Sequence, residues 1–114
     1  MVFNEGTSIA AENSKVYKIH YSIDGVTHQV TLLGDETWHD FLNRMFALAE
    51  EGHTVTFRNV NINSQVASAK DVITYTTNNR EDAYNWAEQM GEKGYSVTIK
   101  YDNKTGAYTC TAIK

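Results

Sequence analysis

Apolar and polar side chains alternate from Tyr17 to Leu32, with one interruption at Asp24-Gly25. Tyr17, Ile19, Tyr21 and Ile23 lead into the break, and Val26, His28, Val30 and Leu32 continue after it. A period of two marks a half-buried strand, and Asp-Gly suits a two-residue type I′ turn because both of its central positions need positive φ. The pattern predicts a hairpin that pairs Ile23 with Val26, Tyr21 with His28 and Ile19 with Val30, all on one face. From Glu36 to Glu51 the period changes. Trp38, Phe41, Leu42, Met45, Leu48 and Ala49 recur at three- and four-residue spacing, the signature of an amphipathic helix. Asp35 is the expected N-cap and Gly52 the left-handed stop. His53–Val60 reads as a third strand and Asp71–Thr77 as a fourth. A second helix opens at Asn78 with Glu81, a capping-box-like pair. Its stripe is Ala83, Trp86, Ala87 and Met90, and it ends at Gly94. Tyr95–Tyr101 and Ala107–Ile113 complete the set as a hairpin around Asn103–Gly106, pairing Tyr101 with Tyr108, Ile99 with Cys110 and Val97 with Ala112. Residues 1–14 read as a loose tail and 61–70 as a polar loop.

Two parts of this pattern match at an offset of 42 residues. Glu50-Glu51-Gly52-His53-Thr54-Val55-Thr56-Phe57-Arg58 lies over Glu92-Lys93-Gly94-Tyr95-Ser96-Val97-Thr98-Ile99-Lys100, with Val30 over Val72, Asp40 over Asp82 and Asn43 over Asn85. A match at fixed offset through a helix end, its glycine and the next strand is a duplication signal. It predicts one α+β domain over 15–114, built of half-repeats 15–60 and 71–114. Each half is a βαβ unit with an added hairpin strand, giving a ferredoxin-like six-stranded antiparallel sheet with two helices on one face. In the expected strand order, 2-1-3-4-6-5, each added strand fills the gap of its crossover, and the right-handed crossover rule is met within each half. Trp38, Phe41, Met45, Trp86 and Met90 are expected to be buried against Tyr17, Ile19, Val30, Val55, Phe57, Val97 and Ile99.

Composition narrows the functional classes. The formal net charge is −4 and Lys and Arg are scattered along the chain, which argues against nucleic acid and anionic membranes as partners. No stretch approaches the roughly 20 apolar residues of a membrane-spanning helix, so membrane insertion is not expected. Residues 1–14 hold no basic segment followed by a long apolar run, so no intact signal peptide is read there. A cytoplasmic protein and an exported one whose signal has been removed both fit. Cys110 is the single cysteine, so no internal disulfide can form.

Catalytic chemistry is not visible in the residue pattern. His20 and His28 point to opposite faces of one hairpin, and His39 and Asp40 diverge by about 100° on a helix, so neither pair suits a shared metal. Cys110 falls on the inward register as a buried thiol. Most helix carboxylates sit outward or in first turns, and the chain has neither a phosphate-binding glycine loop nor a nucleophile elbow. No catalytic, cofactor or metal residue is assigned. Tyr84 and Phe46 lie off the helix stripes as candidate contact points. The one broad candidate site is the polar sheet face: Lys18, His20, Gln29, Thr31, Thr54, Thr56, Arg58, Thr98 and Lys100, with other Ser and Thr.

The segment from Val72 to Ala112 includes Tyr75-Thr76-Thr77, Trp86-Ala87, Glu92-Lys93-Gly94-Tyr95 and Thr105-Gly106-Ala107-Tyr108. It resembles small uncharacterised α+β proteins of gut Bacteroidetes, a likeness that brings no activity and no functional residues. Ala83, Ala87, Gly94 and Tyr95 also resemble the sporulation-related repeat domain, a βαββαβ module. That resemblance implies binding of bacterial cell-wall glycan, while the added hairpin strands depart from the family. The sequence therefore supports a non-enzymatic binding or assembly module, homo-oligomeric, with a protein or glycan partner. The alternatives are a small enzyme using His39 or His53 with a carboxylate, and an envelope glycan binder. In the expected strand order the second strand is a sheet edge without charge or proline, which predicts a homodimer through that strand.

Overall fold

The computed structural model describes residues 16–60 and 72–113; the tail, the 61–70 loop and Asp71 lie outside them. The element order is β1 (Val16–Ile23), β2 (Val26–Leu33), α1 (Gly34–Glu50), β3 (Val55–Asn59), β4 (Val72–Thr77), α2 (Arg80–Glu92), β5 (Ser96–Asp102) and β6 (Ala107–Ile113). The fold is α+β, with one six-stranded antiparallel sheet and two helices packed on the same apolar face. No described helix is long and apolar enough to cross a membrane.

Both hairpin registers follow from their turns. Ile23 faces Val26, Tyr21 faces His28 and Ile19 faces Val30. Asp24 and Gly25 both take positive φ, at 52° and 89°. In the second hairpin Tyr101 faces Tyr108, Ile99 faces Cys110 and Val97 faces Ala112.

The strand order is 2-1-3-5-6-4, so β4 and β5 stand in exchanged places relative to the sequence expectation. Crossover handedness explains the correction. In the order 2-1-3-4-6-5, both βαβ units would advance in the same direction across the sheet, from strands that point opposite ways. With both helices on one face, such units have opposite hands, and one of them breaks the right-handed rule. Exchanging β4 and β5 makes the second unit run back toward the first, so both share one hand. β3 then pairs with β5, Val55 opposite Ile99, Thr56 opposite Thr98 and Phe57 opposite Val97. The edges are β2 and β4, and β5 is interior.

The core differs from the sequence stripes in a consistent way. Trp38, Phe41, Leu42, Met45, Phe46 and Ala49 of α1 are buried, whereas α2 buries Ala83, Ala87 and Gly91. Trp86 and Met90 are only partly buried, and so is Val30. α2 turns its small residues to the sheet, and Trp86 sits one position round the helix, stacked on Tyr75 of β4 at 5.6 Å. Phe46 is not an exposed contact point. It is fully buried between the helices, against Tyr84 and Tyr108 and under the Arg80 guanidinium. The caps also shift. α1 starts at Gly34 without a side-chain cap, and Asp35 instead accepts the Tyr17 hydroxyl at 2.6 Å. Asn79, not Asn78, caps α2 by accepting the Asp82 amide at 3.0 Å.

Trp38 is fully buried among rings: Tyr17 stacks on it at 4.8 Å, and Phe41 and Phe57 flank it. Gly91 closes the remaining side, where a Cβ would lie 3.1 Å from Trp38 Cζ2 and 3.2 Å from Phe57 Cε2. Replacing a helical glycine with alanine ordinarily gains about 1 kcal/mol. Overpacking costs about 1–3 kcal/mol, and rings held on every side have little room to yield. Gly91→Ala is therefore expected to lower stability in a urea melt. A rise would mean that Trp38 has free space beside it.

Candidate functional site

The helices cover one sheet face and leave the other open. Register places a hydroxyl residue on every strand of the open face in one row: Thr27 on β2, Ser22 on β1, Thr56 on β3, Thr98 on β5, Thr111 on β6 and Thr74 on β4. Each member lies directly opposite the next. At the centre, the Thr56 and Thr98 hydroxyls are hydrogen-bonded at 3.0 Å. A period of two in each strand, with the even register of the pairings, is sufficient to build such a row.

The basic members of the predicted face also converge. Lys18 and His20 stand on β1, Arg58 on β3 and Lys100 on β5, three consecutive strands of the sheet. His20 lies directly opposite Arg58 and, on its other side, opposite Gln29. All four side chains are exposed. Sequence spacing had suggested scattered cations; the fold gathers residues 40 and more apart. Among the described residues, Asp102 is the single carboxylate within a strand, at the last position of β5, where it accepts the Lys104 amide at 2.9 Å. The remaining described carboxylates belong to the helices and their ends or to the Asp24 turn.

His20, Gln29, Thr56 and Arg58 line a shallow concavity of about 580 Å³ together with Ser22, Thr27 and Ser96. A neighbouring one of about 310 Å³ takes in Lys18 and Thr31. Thr54 stands apart from both, at the foot of β3, where its amide donates to Asp24 at 2.9 Å. Lys100 and Thr98 extend the face on β5. His28 is solvent-exposed and lies against Tyr21 at 5.1 Å.

Two histidine–carboxylate pairs lie elsewhere. His39 Nε2 meets Glu88 Oε2 at 2.5 Å between the helices, and the Tyr84 hydroxyl donates to the His39 carbonyl at 3.3 Å. His53 Nδ1 meets Asp24 Oδ2 at 2.5 Å. Neither pair lines the concavities described above, and among the described residues no serine, threonine or cysteine side chain is bonded to either histidine. Acid–base chemistry needs such a pair to converge on a reacting group in a cleft. Cys110 is fully buried, and burial pushes its thiol up to about 12, which keeps it protonated and unreactive. Among the described residues, no three His, Cys, Asp or Glu side chains gather as a metal site would require. A third concavity, about 300 Å³, is apolar. It lies between α1 and the inner side of β2, lined by Tyr21, Ile23, Val30, Leu32, Phe41 and Met45, with Asp40 and Arg44 at its rim.

The Asp24–His53 pair ties the first hairpin turn to the start of β3. Its hydrogen bond holds His53 above the usual 6.5 and Asp24 below the usual 3.8. A raised histidine contributes stability fully below 6.5, and this is lost as pH rises through its folded value. A lowered aspartate contributes above 3.8, and this is lost as pH falls through its folded value. The stability difference between the wild type and Asp24→Asn is therefore expected to be largest between pH 3.8 and 6.5 and to shrink on both sides. A pH series of thermal melts checks it; a flat difference would show that the pair is not formed in solution. Comparison of the chain with protein-family models, with curated proteins and with solved structures gives no match.

Proposed function

We propose that the protein is a non-enzymatic binding and assembly module that presents its open sheet face to a partner and doubles that face by homodimerisation. The observation that carries this reading is the hydroxyl row, which runs unbroken across all six strands with no helix over it. A glycan or protein surface rich in hydrogen-bonding groups is the partner such a face suits, because each hydroxyl can donate and accept. The offset of 42 residues supports an origin by duplication of one βαβ unit. Thr56 and Thr98, which occupy matching positions, sit opposite each other at the centre of the β3–β5 pairing.

A comparison of the two edges supports β2 as the strand of the proposed dimer. Neither β2 nor β4 carries charge or proline, so neither is blocked against a further strand. The inner side of β4 is partly covered: Tyr75 lies under Trp86 and its hydroxyl donates to Asp82, while Ile73 is 38% exposed. The inner side of β2 is more open. Val26 is 60% exposed, and the apolar concavity beside Val30 and Leu32 stands open. Pairing of β2 with β2 about a two-fold axis extends the sheet and brings these apolar strips together.

Backbone direction identifies the best test. Lys18 points its amide and carbonyl toward β3, bonding Asn59 and Val60. Thr31, opposite Lys18, therefore turns its own backbone groups to the free edge. Thr31→Pro removes an outward donor without breaking the hairpin, and is expected to give a monomer by light scattering from a dimeric wild type. A wild type that is already monomeric at high concentration overturns the dimer.

A further inference from the structure

The open face is charged against the trend of the chain. The formal net charge is −4, yet Lys18, Arg58 and Lys100 occupy neighbouring strands of a face almost free of carboxylates. Arg80 bonds Glu50 at 2.8 Å and His39 and His53 meet Glu88 and Asp24, while Arg44, Lys93 and Lys104 are in no ion pair among the described residues. Among the described residues, Lys18, Arg58 and Lys100 have no ion-pair partner. Among the described residues these sheet-face cations are unpaired in a chain with surplus acid, and their field attracts anions.

We propose that this face binds an acidic polysaccharide, with sugar hydroxyls on the Thr56–Thr98 row and sugar carboxylates on Arg58 and Lys100. The proposal rests on the sheet face being the binding surface. Arg58 presents a planar fork that matches a carboxylate with two parallel hydrogen bonds. The hydroxyl row repeats at the strand spacing of about 4.8 Å, which suits a ligand that itself repeats donors and acceptors along its length. Single-stranded nucleic acid fits less well. Among its described residues the face carries no Phe, Tyr or Trp on which bases could stack, and three fixed cations would release few counterions. An extended acidic peptide would add to an edge strand rather than lie across the face.

Titration calorimetry with polygalacturonate, its fully methyl-esterified form and poly(U) tests the proposal. The acid polymer is expected to bind and to weaken with added salt, and the ester and poly(U) not to bind. Arg58→Glu combined with Lys100→Glu is expected to lower affinity by about tenfold or more, and Arg58→Lys, which keeps the charge but loses the fork, to lower it by less. Both side chains are exposed, and circular dichroism verifies that the variants fold. Equal binding of the ester, preference for poly(U), or an unchanged affinity in the double variant each overturns the acidic-glycan assignment. So does failure to bind any of the three. Amide chemical shifts separate this failure from that of the broader reading. Shifts at Thr56, Thr98 and Thr111 with the ester would keep the face as a binding surface for a neutral ligand. Binding accompanied by shifts only elsewhere would remove both.

Discussion

The pairing of β3 with β5 is the constraint on which the rest of the molecule depends. Among the described residues it is the strand pairing that joins the two halves, and three facing pairs define its register. Those pairs put Val55, Phe57, Val97 and Ile99 on the helix side and Thr56 with Thr98 on the open side. A slip of one residue would reverse both assignments at once. The core and the hydroxyl row are thus two faces of one registration. Trp38 and Gly91 lock the same seam from above, since the indole of α1 fits only because α2 has no side chain there. The Trp38 Nε1 group is buried without a hydrogen-bond partner among the described residues. An unmade bond of this kind costs about 1–3 kcal/mol, and the apolar area the ring buries against Tyr17, Phe41 and Phe57 offsets it.

The seam between the helices is polar where the seam above the sheet is not. Arg80 reaches from α2 to Glu50 and Asn43 of α1, and Tyr108 of β6 donates to the same Glu50 carboxylate. Burial and this carboxylate together hold the Tyr108 hydroxyl up to about 12, so it remains a donor across the physiological range. Arg80, Glu50, His39 and Glu88 orient the helices against each other, whereas Lys18, Arg58 and Lys100 of the sheet face have no ion-pair partner among the described residues.

What could be read from the sequence was local. Asp24-Gly25 and Asn103–Gly106 determine hairpin registers within a few residues of themselves, and both registers were legible pair by pair. The candidate face was legible for the same reason, because alternation alone assigns each strand residue to a side. The order of β4 and β5 was not, since it depends on the hand of two crossovers considered together. The sequence stripe of α2 misled because periodicity marks large apolar residues, and Trp86 and Met90 are large. The buried stripe is small, and its size is set by Trp38 on the other helix. Phe46 was missed because a helix packed against both a sheet and another helix buries more than one stripe. Lys18, Arg58 and Lys100 were assigned to that face, but the nearness of Lys100 to Arg58 was missed with the place of β5.

On the proposed duplication, the two halves have diverged toward complementarity. At the offset of 42, Phe41 corresponds to Ala83, Met45 to Ala87 and Ala49 to Gly91. One two-layer core must be filled from both helices, and two bulky stripes would overfill it at native packing density. With α1 supplying the volume, α2 can lie close to the sheet, and its outward Trp86 reaches down over β4. The residue of α1 that corresponds to Trp86 is Arg44, at the rim of the open groove over β2. The exchange of a ring for a guanidinium thus leaves the inner side of β2 more open than that of β4. A fold whose strand plan reads alike from either edge acquires in this way two unlike edges.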